Sequence, residues 1–281
     1  MTILLDGKSL SEKIITSLKD DIVNLKIKPG LTVILVGEDK ASEIYVKNKE
    51  RVSKKIGINS NVIRLPKDIE ESDLLKIIDK LNNDESINAI LVQLPLPKHI
   101  NSNNIIESIK PIKDVDGFHP YNIGKLSMGL MPYSIPCTPL GIINILQEYN
   151  INLESKKVLI IGRSNIVGKP LFHLLLNRNA TVTIAHSKTV NLKNLTLDSD
   201  IIISAIGKPK FITTDMIKQR SIIIDVGISR LDNGTISGDI DFENVKEKCK
   251  FITPVPGGVG PMTIAMLMKN TLHLYKLQNN Y

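Results

Sequence analysis

The segment Val158–Pro170, VLIIGRSNIVGKP, constrains the fold of this chain more than any other. Apolar residues run into Gly162, and a second glycine, Gly168, opens a leucine-rich stretch at helical spacing. A buried strand that turns through glycine into a helix belongs to a parallel α/β sheet, whose successive strands need helical crossovers. Such a turn aims unpaired backbone N–H groups and the positive end of a helix dipole at one point, which suits a phosphate. The pattern departs from the usual GxGxxG. Ser164 stands where the second glycine falls, the next glycine is Gly168, and Arg163 brings a positive charge into the loop.

The surrounding composition narrows the ligand. From Ser155 to Leu197, 43 residues contain no Asp or Glu but seven Lys or Arg, whereas 29 acids in the 281-residue chain would place about four there. A dinucleotide fold that takes NAD usually carries an acid about 20 residues after its glycines, bonded to the ribose 2′-hydroxyl. Here the second strand, TVTIA (181–185), ends at His186, Ser187, Lys188 and Thr189. Hydroxyls and a base at that place accommodate a 2′-phosphate, so NADP is expected rather than NAD. The alternative is a basic, solvated surface around an ordinary strand–helix turn.

Bulk properties exclude several classes. An apolar content of 42%, with no Trp and 4% aromatics, calls for a core of Ile, Leu and Val. The net charge of +7 raises nucleic acid as a partner, but the lysines are scattered, without a long basic run or aromatic interleaving. A polyanionic small molecule accounts for the sign equally well. Cys137 and Cys249 lack metal-ligand spacing, no metal is expected, and reduced thiols in a cytoplasm are the default. No apolar run reaches the roughly 18 residues of a membrane helix, and no signal-peptide pattern opens the chain. A soluble cytoplasmic protein is expected.

Along the chain, β-rich runs alternate with helical patterns. A helix with Leu10, Ile14, Leu18 and Ile22 on one face follows Ser9, read as its cap. Strands are expected at 31–37, 61–65 and 89–95, with helices from about 41 to 56 and near 72–81. A second array holds a helix after Pro139 and strands at 158–162, 181–185, 200–207, 221–227 and near Phe251. The two parallel arrays join near Pro132–Pro139. The segment PVPGGVGP (254–261) is read as crossing between domains, and a last helix as spanning 262–277.

Residues with chemistry concentrate in the first array. Tyr45 and Lys49 lie four apart and share a helix face, as a surface pair or as a site. Gln93 follows a buried strand, where parallel sheets bind ligands, although Pro95 and Pro97 also serve simply to end the strand. KDVDGF (113–118) sets Asp114 and Asp116 in a turn beside Gly117; DG is also a common turn dipeptide.

In this order, YVKNK (45–49), VQLPLP (92–97), KDVDGFHPYNIGKL (113–126), PCTPLG (136–141), GRSNIVGKP (162–170) and PVPGGVGPMT (254–263) resemble the bifunctional methylenetetrahydrofolate dehydrogenase/methenyltetrahydrofolate cyclohydrolase family. The resemblance spans almost the whole chain. It implies a two-domain α/β fold: an N-terminal parallel α/β catalytic domain over 1–138, a Rossmann-type NADP domain over 139–261, and a C-terminal helix, 262–281, returning to the first. The active site is expected in the interdomain cleft. There, 5,10-methylenetetrahydrofolate would be oxidised by NADP+ to the methenyl cation, which is then hydrolysed to 10-formyltetrahydrofolate.

By the same resemblance, Tyr45 stacks along the folate and Asp116 bonds the pterin. Lys49 is the expected proton-transfer group of the hydrolysis, a role that burial and a cationic substrate favour, and Gln93 holds it. Gly257, Gly258 and Pro261 join the substrate set, and with Gly260 these glycines allow close approach to ligand or a hinge. Arg163, Ser164 and Ser187 belong to the 2′-phosphate region and Ile166 to the loop wall. Gly207 and Ile228 line the path to the nicotinamide; Thr138, Gly162, Val167, Gly168, His186, Ala205, Val226 and Gly227 complete the cofactor set. A homodimer through the nucleotide domain is expected. Two alternatives stand: a monofunctional dehydrogenase, against which Lys49 and Gln93 argue, and a regulatory NADP-binding protein, against which Tyr45, Lys49 and Asp116 argue.

Overall fold

The computed structural model describes residues 1–231 and 234–280, apart from the side chains of 40 and 41. The chain divides into two units: 13–137 with 264 onward, and 1–12 with 138–263.

The first unit is built on three parallel strands in the order Asn59–Leu65, Gly30–Val36, Ala89–Val92. Gly30–Val36 is buried at every residue, as expected of a middle strand covered on both faces. Val33 pairs with Val62 on one side and Leu91 on the other, and a parallel bridge from Ile90 to Asp114 extends the sheet. The helix Glu71–Asn83 brings Leu74 and Ile78 into an aliphatic cluster with Ile34, Val36, Ile90 and Val92. The helix Lys40–Ile56 starts where the Asp39 carboxylate accepts from the Ser42 N–H at 2.8 Å.

The second unit holds six parallel strands in the order Ile3–Leu4, Cys249–Ile252, Ser221–Asp225, Ile201–Ser204, Lys157–Ile161, Thr181–Ala185. Leu159, Ile161, Ile202, Ile223 and Ile252 form its core. From Lys157–Ile161 the chain goes first to the edge strand on one side, Thr181–Ala185, and then back to Ile201–Ser204 on the other. The direction of strand addition reverses at that point, and a crevice for ligand opens at the carboxyl ends there. Gly162 is the next residue of the chain.

Several sequence expectations change. Ser9 does not cap the first helix, Gly7–Val23; Asp6 does, accepting from the Ser9 N–H at 3.0 Å and the Ser9 hydroxyl at 2.6 Å. A carboxylate there satisfies two donors at once. Residues 1–12 belong with the nucleotide-side sheet because Ile3–Leu4 pairs with Phe251 and Ile252. The segment 254–261 stays within that same unit, the Lys8 N–H donating to the Gly257 carbonyl at 2.8 Å, and the last helix begins at Val259 rather than 262. The helices Ser102–Ser108, Pro120–Ser127, Leu192–Asp198 and Phe242–Val245 and the hairpin of Ser229–Arg230 with Ile236–Ser237 carry no clear periodicity. Elements this short depend on tertiary packing. No helix among the described residues is long and apolar enough to cross a membrane.

Candidate active site

In the first unit the structure brings Lys49, Gln93 and Asp116 together. Lys49 lies on the helix Lys40–Ile56 and is 9% exposed. Its Nζ donates to Gln93 Oε1 at 2.9 Å, while Gln93 Nε2 donates to the Leu94 carbonyl at 2.7 Å. The second bond decides which end of the amide faces the lysine. Asp116 sits in the desolvated turn beyond the sheet, and burial pushes its carboxyl up to about 6, with Lys49 opposing the shift and Asp114 adding to it. Tyr45, one helical turn before Lys49, is 38% exposed.

The turn that carries Asp116 is held by a network of buried polar groups. Asp114 is 2% exposed, and its carboxylate accepts from the Gly117 N–H (3.0 Å), the His119 N–H (2.9 Å) and Asn122 Nδ2 (2.9 Å). The Ser134 hydroxyl donates to its carbonyl. Of the two acids in KDVDGF, Asp114 therefore shapes the loop and Asp116 is left for a ligand. Asn270, on the last helix, donates to the Val115 and Ile135 carbonyls at 3.0 and 2.8 Å, bracketing Asp116. Cys137 Sγ approaches Asp116 Oδ1 at 4.0 Å, and burial raises its thiol pKa well above the ordinary value. Asp114 had a signal in its place three residues before the glycine of the turn; Asn270 and Cys137 had none, being distant in sequence.

In the second unit, the turn after Lys157–Ile161 is backbone-built. Gly162 has φ +122°, and a Cβ there would lie 2.6 Å from the Ala205 carbonyl oxygen; one on Gly168 would lie 2.1 Å from that of Gly162. Bare backbone at this place is what a pyrophosphate needs in order to approach. Ser164 Oγ accepts from the Val167 and Gly168 N–H groups at 3.1 and 3.4 Å, so it braces the turn that leads into the helix Gly168–Leu176 as well as facing solvent. Arg163, Ile166, Ser187 and Lys188 are exposed. The His186 N–H donates to Thr189 Oγ1 at 2.9 Å, and His186 Nδ1 accepts from the Lys188 N–H at 3.1 Å, a tight turn that presents Ser187. The donor set fits an NADP: free cationic and hydroxyl groups where a 2′-phosphate would sit, and a glycine cradle for the diphosphate.

The remaining expected residues fall in the same unit. Ala205 and Gly207 follow the strand Ile201–Ser204, and Val226, Gly227 and Ile228 follow Ser221–Asp225; Gly207 and Ile228 are exposed. Thr138 Oγ1 lies 2.9 Å from Thr263 Oγ1. Gly258 packs against the start of the first helix, where a Cβ on Gly7 would meet its carbonyl oxygen at 1.9 Å. That glycine has a structural use, as do Gly257, whose carbonyl accepts from Lys8, and Pro261, which lies in the first turns of the last helix.

Comparison with known proteins gives a consistent match. Residues 5–116 match the catalytic domain of tetrahydrofolate dehydrogenase/cyclohydrolase, and residues 136–279 match its NAD(P)-binding domain. A relative from Thermodesulfovibrio yellowstonii, named bifunctional protein FolD, is 55% identical over 278 residues, covering 98% of this chain and 97% of the relative. The crystal structure of the bifunctional methylenetetrahydrofolate dehydrogenase/cyclohydrolase of Campylobacter jejuni superposes with a TM-score of 0.98 at 50% identity, covering 100% of both chains. That of Trypanosoma brucei, complexed with NADP cofactor and inhibitor, gives 0.96 at 33% identity, covering 100% of this chain and 99% of that one.

Proposed function

The chain belongs to the tetrahydrofolate dehydrogenase/cyclohydrolase family, and from that premise we propose how its residues divide the work. It is a bifunctional enzyme of one-carbon folate metabolism. It oxidises 5,10-methylenetetrahydrofolate with NADP+ to the 5,10-methenyl cation and hydrolyses that cation to 10-formyltetrahydrofolate.

When bound, NADP+ supplies the hydride acceptor. Arg163 and Ser187 hold its 2′-phosphate, and the backbone from Gly162 to Gly168 holds its diphosphate. Tyr45 stacks on the folate, and the Asp116 carboxylate accepts from the pterin N–H groups, which orients the ring. In the hydrolysis, water adds to the amidinium-like carbon, loses a proton, and the carbon–N5 bond opens as N5 gains one. Lys49 Nζ is the group that moves these protons, and Gln93 keeps it pointed at the reacting carbon. The 2.9 Å contact between Lys49 Nζ and Gln93 Oε1 is the observation that carries this reading.

A spectrophotometric assay with methylenetetrahydrofolate tests it, comparing NADP+ with NAD+ and following methenyl decay separately. Reduction of NADP+ in preference to NAD+, together with accelerated methenyl hydrolysis, is expected. Oxidation without hydrolysis would leave a monofunctional dehydrogenase. Homodimerisation through the nucleotide unit and a cytoplasmic location rest on the family resemblance and, for the second, on two unpaired buried cysteines. A monomer mass by light scattering would overturn the dimer.

A further inference from the structure

Two buried carboxylates lie beneath the loops assigned to the nicotinamide end of the cofactor, and the chemistry above uses neither. Asp239 is 0% exposed. Its Oδ2 accepts from the Ser204 hydroxyl at 2.9 Å and the Ile206 N–H at 2.8 Å, and its Oδ1 accepts from the Lys208 N–H at 2.8 Å. Asp225 is 3% exposed. Its Oδ1 accepts from the Gly227 N–H at 3.0 Å and the Asp239 N–H at 2.9 Å, and its Oδ2 from the Ile240 N–H at 3.0 Å.

These bonds link three segments. Asp239 fastens the 206–208 loop, Asp225 fastens Gly227, and Asp225 holds the backbone of Asp239 itself. Asp239 Oδ1 would come 2.2 Å from a Cβ on Gly227, so the carboxylate lies directly against the second loop. At the surface the Ser229 hydroxyl closes the set by donating to the Gly207 carbonyl at 3.2 Å. Every donor named is a neutral N–H or O–H. Burying two carboxylates on neutral donors is costly, and amide or apolar residues could turn a loop at lower cost. What the carboxylates give is several backbone N–H groups fixed at once, with exposed Gly207 and Ile228 held at defined positions.

We propose that Asp239, backed by Asp225, is a positioning residue of the dehydrogenase: it sets the 205–208 and 226–228 loops for the nicotinamide half of NADP and has no part in the hydrolysis. This rests on the assignment of those loops to the cofactor. Asp239→Asn keeps the shape but places an amide NH2 against the N–H of Lys208 or of Ile206, whichever way it turns, so one loop is released. The expected result is a dehydrogenase kcat/KM lower by about 10- to 100-fold, mainly through a raised KM for NADP+. Hydrolysis of methenyltetrahydrofolate supplied directly should stay within about two-fold, since it needs no cofactor. Ser204→Ala, which removes one bond, should shift the same parameter by about 2- to 10-fold and decides the matter if the first variant does not fold. Unchanged oxidation, or parallel loss of both activities in a folded variant, overturns the proposal. Failure of the unmodified enzyme to use NADP+ would instead count against the cofactor reading.

Discussion

At the Lys49 site the working groups are side chains held by other side chains; at the Gly162 turn they are backbone groups and exposed cations on a rigid strand end. Lys49 is 9% exposed and bonded to Gln93, and Asp116 is desolvated enough to lift its carboxyl to about 6. Arg163, Ser187 and Lys188 stand in solvent. The contrast follows from the ligands. A flat, neutral-to-cationic pterin needs directional partners in a dry place, whereas phosphates are recognised by charge and by bare N–H groups. Substitutions on the folate side should therefore change chemistry and stability together, and those on the nucleotide side should change affinity alone.

The largest expected effect is at Lys49. Lys49→Ala should slow methenyltetrahydrofolate hydrolysis by about 10²- to 10⁴-fold, the usual span for a proton-transfer group, with a much smaller change in folate KM. Hydrolysis at the unmodified rate would sink the assignment.

Arg163→Ala tests the other side. Losing a charge-assisted bond to phosphate should weaken NADP+ by about 10- to 100-fold while leaving NAD+ and thermal stability near their starting values. Equal weakening of both nucleotides would show that Arg163 serves the turn rather than the 2′-phosphate, and the contrast between the two regions would fail.

Asp116 sharpens the comparison through pH. Its carboxyl titrates at about 6 instead of its ordinary 3.8, chiefly because of burial. The ionised form therefore costs stability above pH 6, and the fold regains that stability as pH falls from about 6 towards 3.8. Asp116→Asn should accordingly stabilise the protein at pH 8 by about 1–3 kcal/mol, while turnover drops because the pterin loses its anionic acceptor. Urea denaturation at pH 8 and near pH 4 checks the sign: the gain should shrink at the lower pH. A variant less stable than the parent at pH 8 contradicts the picture of a strained, desolvated carboxylate.

The smallest effect is expected at a helix cap. Asp6→Ala removes the cap of the first helix and should cost about 1 kcal/mol in chemical denaturation, with both activities intact.

Much of this was legible from local pattern. The alternation of apolar strands with helical periods is a short-range property, and the strands expected around Val33, Val62, Leu91, Leu159, Val182 and Ile202 each overlap an observed one, although the ranges 89–95 and 200–207 run three residues past the strand ends at Val92 and Ser204. The Gly162 turn was legible because backbone geometry leaves a glycine signature. What escaped was either too short to show a period, such as Ile3–Leu4 and Phe242–Val245, or defined by a partner far along the chain. Ser9 and Asp6 are both good caps, and only the geometry shows which accepts.

Taken alone, the sequence determined that this chain builds parallel sheets and turns through glycine at a strand end, and it set the expectation of a 2′-phosphorylated dinucleotide there, because each of these is written in residues adjacent to one another. The tertiary structure decided that Lys49 meets Gln93, 44 residues away, that Asn270 brackets Asp116 from the last helix, and that Asp239 reaches back 31 to 35 residues to hold the loops after Ile201–Ser204. Those contacts join distant parts of the chain, and the burial that gives them their strength exists only once the sheets have packed.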